Sequence, residues 1–442
     1  MTLTSKPGPA YEDLICPWKQ PPRTAYIFSN ANLVDPAAGK IIPNATVYIS
    51  DGKVRDVHQG PTALDFDTDA ERVDLQGKYL SPGLIDCHVH LAAVAGESTY
   101  GEMKALSPSQ VLLRQPYACN AMLNRGFTSV RDCGGATLAM KQAIEQGLYP
   151  GPRLFIAGHA LSQSGGHGDG RKQHDHHEFC GGSISTYHRV VDGVEQCLKF
   201  SREEFRQGAD FIKIMGGGGV ASPTDAIEHV QSTVDEVKAI VTVAENMGSY
   251  VTAHCYTPQA VQQAIRQGVR GIEHGNLVDE ETVKEMVQRN TFLTPTLVTY
   301  ATFAREEYRG KFLSRTSEAK NLEVLHSGLK ALKMATDAGV KVCFGTDLLG
   351  PLQFAQTNEF SIRGKIVSSV EVLRSATVTA AELLNQSKFL GQIKPGFAAD
   401  LLVLASNPLE DITSLDRPEE NLLTVVKDGR VVFSKGATIR RV

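Results

Sequence analysis

Between residues 84 and 347 the chain repeats one pattern eight times: a short apolar run, then a stretch long enough for a helix. The runs are "LIDCHVHL" (84–91), "FTSVRD" (127–132), "RLFIAG" (153–158), "DFIKIM" (210–215), "YVTAHCY" (250–256), "GIEHG" (271–275), "FLTPT" (292–296) and "KVCFGTD" (341–347). Apolar runs of this length read as buried strands, and strands joined through helices lie parallel with the helices outside. Eight such units predict an α/β fold, a closed (β/α)8 TIM barrel. The segment "STVDEVKAIVTVAENMG" (232–248) shows the helical texture, with Ser232 and Glu236 near its start and Gly248 at its end.

The two chain ends read differently. "AYIFSNANLVDPAAGKIIPNATVYISDGKVRDV" and "ADLLVLASNP" with "LLTVVKDGRVVFSKG" are short β-runs with the turns Asp51-Gly52 and Asp428-Gly429 between them, which is strong hairpin chemistry. The expected organisation is one small β-sandwich built from residues 1–80 and 395–442, flanking a barrel over 81–394. A length of 442 residues accommodates two such units.

Bulk composition excludes some functions. Hydrophobic residues are 42% of the chain, charged residues 21%, and the net charge is -4, which leaves no basic footprint for nucleic acid. No apolar run approaches the ~20 residues needed to span a bilayer, and the start, "MTLTSKPGPAYEDLICPWKQPPR", has no apolar signal core, so no membrane partner is expected. Of eight cysteines, Cys87, Cys133, Cys255 and Cys343 lie in or beside predicted strands and read as reduced packing residues. The tripeptides at Asn44 and Asn385 would matter only after secretion, and the compartment is read as cytoplasmic or secreted.

In barrels of this kind chemistry sits at the C-terminal ends of the strands. His88 and His90 are two apart in one strand, so both side chains leave one face and can grip a single ion, although a lone pair of histidines also suits packing. His254, His274 and Asp347 close three other predicted strands. Four histidines and an aspartate aimed at one mouth are hard to explain as packing. Lys213 sits in the middle of an apolar strand, and a buried ammonium costs several kcal/mol unless it is paired, discharged or snorkelling to the rim.

"IDCHVHL" after a β-rich start, single histidines closing later strands, "FGTD" closing the last, and "GQIKPGFAADLLVL" re-entering the β-domain resemble the metal-dependent amidohydrolase superfamily over roughly residues 25–440. The resemblance implies metal ligands at His88, His90, His254, His274 and Asp347. It also implies that Lys213 is N6-carboxylated, a carbamate bridging two divalent metal ions. Two ions sharing a hydroxide would supply a nucleophile and polarise a carbonyl, zinc fits the imidazole-rich set best, and Asp347 would take the proton and pass it to the leaving amine. The alternative for Asp347 is a helix N-cap.

The loop "LSQSGGHGDGRKQHDHHEF" (161–179) holds His167, His174, His176 and His177. Its "GGHGD" element and the "HCY" ending of the fifth strand resemble the prolidase-like and imidazolonepropionase-like branch, which includes fungal ochratoxinase. That resemblance places His167 and Tyr256 at the substrate's carbonyl or carboxylate. Arg171, Lys172 and Arg131 are candidate partners for a substrate carboxylate. "GGGGV" (216–220) lacks the Gly-Lys-Ser/Thr ending of a phosphate loop, and its glycines read as letting backbone pass close to substrate or metals.

The expected function is a dinuclear metal-dependent amidohydrolase that cleaves the amide bond of N-acyl amino acids, including ochratoxin-like N-aroyl amino acids, or of dipeptides. A homo-oligomer acting on a small molecule is the expected assembly. A cyclic-amide hydrolase or a mononuclear deaminase of the same superfamily is the alternative, with Lys213 weighing against the deaminase. A non-catalytic scaffold is the third reading, against which all six ligand positions are filled.

Overall fold

The computed structural model describes residues 11–60, 69–171, 174, 187–222 and 225–435. All eight runs form strands: β1 (Leu84–Val89), β2 (Phe127–Asp132), β3 (Arg153–Ile156), β4 (Ile212–Met215), β5 (Val251–Cys255), β6 (Gly271–His274), β7 (Phe292–Thr294) and β8 (Lys341–Val342). Every neighbouring pair among them that forms a ladder is parallel. Helices such as Pro108–Asn124, Gly193–Arg206, Pro258–Arg266 and Arg315–Ala338 fill the crossovers. The 234–246 helix starts beside Ser232, as read: Thr233 caps it in a capping box with Glu236, and Ser232 takes a left-handed φ of 58° just outside it.

The regular ladders stop short of one closed barrel and form two sheets, β1-β2-β3 and a seven-stranded sheet containing β4 to β8. The chain after the third run adds a short strand, Ala160–Ser162, at the start of the segment read as a loop: Arg153–Ile156 pairs with β2 and Ala160–Ser162 with β4, so this stretch of chain joins both sheets. On the other side Cys87 N–H donates to Phe344 O at 2.8 Å and Asp347 N–H donates to His88 O at 2.8 Å. These bonds bring the end of β8 beside the end of β1.

Side-chain parity decides what each face carries. In β4, Ile212 and Ile214 pack outward with Val237, Ile240, Val261 and Ile265 of the surrounding helices. The residues between them in the strand then point inward. Lys213 thus follows its register, and the inner face holds polar groups throughout: Asp86, Arg131, Thr252 and Glu273 are all fully buried.

The chain ends build one eight-stranded sheet, from Tyr26–Asp35, Lys40–Ser50, Lys53–Gln59, Glu71–Asp74 and Tyr79–Pro82 together with Leu401–Leu404, Leu422–Lys427 and Arg430–Ser434. The strands from both chain ends, expected as one small β-sandwich, are hydrogen-bonded into this single sheet, with a core of Phe28, Leu33, Val47, Leu80, Leu401 and Val426. Both Asp-Gly pairs form the expected turns, with φ of 49° and 75° at Asp51-Gly52 and 50° and 73° at Asp428-Gly429. The two turns meet, since a Cβ on Gly429 would lie 3.0 Å from Gly52 Cα.

Below the mouth, the fully buried rings of Phe127, Phe344 and Phe360 stack with centroids 4.5 to 6.3 Å apart. They lock β2 and the end of β8 to helix Asn358–Gly364. Truncating such a ring leaves a cavity that a packed core cannot close, so Phe360→Ala should lose about 3–5 kcal/mol of unfolding free energy in a denaturant titration. A loss below about 1 kcal/mol would show that this cluster is not central to the fold.

Candidate active site

The strands end at a cavity of about 570 Å³ whose floor includes His88, His90, Lys213, His254, His274 and Asp347. His88 and His90 present Nε2 atoms 3.5 and 3.3 Å from Asp347 Oδ1. The His274 ring lies 5.1 Å from that of His88 and 4.6 Å from that of His254. His274 and Asp347 reach the mouth through left-handed backbone, with φ of 74° and 51°. Such conformations cost of order 1–3 kcal/mol in a non-glycine residue and cluster at functional sites. Asp347 is not a helix cap, because the next helical turn, Gly350–Ala355, begins after Leu349.

Each histidine has one ring nitrogen held from behind. His88 Nδ1 donates to Glu273 Oε2 at 2.7 Å, and His90 Nδ1 donates to Gly134 O at 3.0 Å. His254 Nε2 donates to Gly218 O at 3.2 Å, and His274 Nδ1 lies 2.8 Å from both Thr296 Oγ1 and Tyr300 Oη. Burial, then the charge of Lys213, pushes the pKa of His88 down to about 4. Burial also holds those of His254 and His274 well below the usual imidazole value. For His90 burial acts the same way, but the hydrogen bond and charge of Asp347 outweigh it and raise the pKa. Burial works against the Asp347 carboxylate, yet the facing histidines hold its pKa below the usual range.

Lys213 is 1% exposed, and among the described residues no carboxylate or hydrogen-bond acceptor pairs with it. It faces the cavity, so burial rather than snorkelling describes its position. Above it, His167 stacks on His254 at 4.3 Å with 12° between the planes, and its Nδ1 is 3.3 Å from Asp225 Oδ2. Two of the four glycines find their reason here. A Cβ on Gly219 would sit 2.1 Å from His167 Cε1, one on Gly218 would sit 1.8 Å from Ala226 O, and Lys320 Nζ ties the loop by donating to the carbonyls of Gly219, Ser222 and Asp225. Tyr256 stacks on His274 at 5.0 Å and shares a 2.7 Å hydrogen bond with Tyr300 Oη. Burial raises the pKa of both phenols, so both are protonated at neutral pH.

The sequence pattern of the amidohydrolase family matches residues 79–432. The chain belongs to the amidohydrolase family. Ochratoxinase of Aspergillus niger is 30% identical over 433 aligned residues, covering 92% of this chain and 86% of its own. A prolidase solved in complex with N-methylphosphonate-L-proline is 42% identical and superposes with a TM-score of 0.89 over 93% of this chain and 100% of its own. A Xaa-Pro dipeptidase solved with methionine in its active site is 27% identical, with a TM-score of 0.83 over 93% and 100% of the two chains.

As an amidohydrolase the chain is a hydrolase of amide or peptide C–N bonds, and its donor set fits the divalent metal chemistry of the family. With Nδ1 of His88 and His90 directed backwards, both Nε2 atoms lie within 3.5 Å of Asp347 Oδ1, a three-residue group that could hold a cation once the His90 Nε2 proton is displaced. Some expected roles are corrected. Arg131 is not a substrate-carboxylate partner: it is fully buried beneath the floor, where its Nη2 donates to Glu273 Oε1 at 2.5 Å. Arg171 lines the cavity but binds Asp169 through Nε at 2.9 Å and through Nη2 at 2.5 Å. His174 is exposed, while Lys172, His176 and His177 lie outside the described residues.

Sequence reading missed Glu273, Thr296 and Tyr300. Glu273 carried a signal, being an acidic residue inside an apolar strand next to His274. The hydroxyls carried none, because Thr296 reaches His274 through a left-handed turn, φ 47°. For the glycine loop of this amidohydrolase the expected outcome is definite. Gly219→Ala puts a methyl into the His167 ring and should lose about 1–3 kcal/mol of stability by denaturation, as overpacking does. Unchanged stability would show that His167 moves away without resistance.

Proposed function

We propose that this amidohydrolase uses a dinuclear zinc centre to cleave the amide bond of an N-acyl amino acid or dipeptide, releasing a free amino acid. The observation that carries the reading is the convergence of His88, His90, His254, His274, Asp347 and Lys213 on one cavity floor. The prolidase, Xaa-Pro dipeptidase and ochratoxinase relatives support the same class of bond. The reading includes a closed (β/α)8 barrel over residues 81–394, with 1–80 and 395–442 forming the β-domain.

Two divalent ions at this floor would activate a water and polarise the scissile carbonyl. His88 and His90 would hold one ion with Asp347, and His254 and His274 the other. Lys213 Nζ, as a free amine, would add to carbon dioxide, forming an N–C bond and releasing a proton to solvent. The resulting carbamate turns an unpaired buried side chain into an anionic ligand.

Asp347, ionised at neutral pH, would accept the proton of the attacking water and deliver it to the leaving nitrogen as the C–N bond breaks. Tyr256 and His167, on the walls above, would meet the carbonyl and carboxylate of the substrate. Phe303, Phe312 and Leu313 give the cavity an apolar side that shields this polar floor from bulk water.

A hydrolysis screen over dipeptides, N-acyl amino acids and cyclic amides tests the assignment, and turnover of the first two classes with little of the third is expected. Turnover of cyclic amides alone would overturn it. Within the same screen Asp347→Asn keeps the side-chain size but removes the proton acceptor. It should melt near wild type and lose at least about a hundredfold in kcat. Near-normal kcat would leave the proton transfer without a carrier.

A further inference from the structure

Three fully buried polar side chains beneath the histidines take no part in the chemistry above: Arg131 on β2, Thr252 on β5 and Glu273 on β6. They form one circuit. Glu273 Oε2 accepts from His88 Nδ1 at 2.7 Å, while Oε1 accepts from Arg131 Nη2 at 2.5 Å and from the Thr252 hydroxyl. Arg131 Nε then donates to the carbonyl of Cys87 at 2.5 Å, the residue before His88. The ion pair therefore grips His88 twice, by its ring and by its backbone.

Stability does not explain such a pair. Apolar side chains of similar volume often replace a buried ion pair without loss, whereas removing one partner alone is strongly destabilising. What the pair does is directional. A carboxylate only accepts, so the bond places the imidazole proton on Nδ1 and leaves Nε2 bare toward Asp347 and His90. A ring turned over, or carrying its proton on Nε2, would present no lone pair to a cation there.

We propose that Arg131 and Glu273 are the positioning pair of this site: Glu273 sets the tautomer and angle of His88, and Arg131 holds Glu273 and the His88 backbone in one register. The proposal rests on His88 being a metal ligand. Partners behind a ligating histidine typically carry about 10–100-fold in metal affinity. Thr252, which shares Glu273 Oε1 with Arg131, completes the acceptor's satisfaction without touching His88.

The test uses the metal-free full-length protein, Zn²⁺ with a competing chelator, and thermal melting. The variants are Glu273→Gln and the double variant Arg131→Met with Glu273→Gln. Both should bind Zn²⁺ about 10–100-fold more weakly than wild type. The double variant should nevertheless melt above Glu273→Gln, because it carries no unpaired buried guanidinium. If Glu273→Gln does not fold, the double variant carries the comparison alone. A double variant with wild-type Zn²⁺ affinity would overturn the proposal and leave the pair a packing device. A wild type that binds no Zn²⁺ would remove the metal reading and this inference with it.

Discussion

In strands β1, β2 and β4 to β7 both faces are buried, and that constraint governs the rest of the molecule. The outer face meets helices and is apolar, as with Ile212, Ile214, Ala253 and Ile272. The inner face is narrow and dry, yet it carries Asp86, Arg131, Lys213, Thr252 and Glu273. Polar groups in such a place must satisfy one another, because an unpaired buried group costs a few kcal/mol. Most do: Asp86 accepts from Gln356 and Thr346, and Glu273 from Arg131, Thr252 and His88. Lys213 is the exception among the inner charged groups, and the exception lies where the histidines converge.

The strand ends add a second constraint. Regular alternation would send His274 outward, since Glu273 before it points inward. The left-handed backbone at His274 breaks the alternation, so that Glu273 reaches His88 while His274 reaches Thr296 and Tyr300 at the mouth. Asp347 and Thr296 reach the mouth by the same device. The backbone strain of three residues is thus concentrated at the cavity floor, held there by the bonds of His274 to Thr296 and Tyr300 and by Asp347 N–H to His88 O.

Much of this was legible in the sequence because its signals are local. Eight apolar runs between helix-length segments gave eight strands, the Asp-Gly turns gave the hairpins, and polar residues at strand ends gave the groups that gather at the mouth. What escaped depends on long-range geometry. Arg131 in an apolar strand looks the same whether it meets a substrate carboxylate or Glu273, 142 residues away. The glycines of residues 216–219 read as letting backbone pass close to substrate or metals, and in the fold Gly219 makes room for the His167 ring and Gly218 for the backbone of Ala226. The short strand Ala160–Ser162 was missed because its three residues lie at the start of a glycine-rich stretch that reads as a loop, and only its pairing with β4 makes it a strand.

The central claim is that Lys213 resolves its buried position by becoming an anionic ligand between two metal ions. Anomalous diffraction at the zinc edge, from crystals grown with Zn²⁺ and bicarbonate, tests it most directly. The account predicts two anomalous peaks, one beside His88 and His90 and one beside His254 and His274, with density extending from Lys213 Nζ to both. A single peak with an unmodified Lys213 side chain would contradict it.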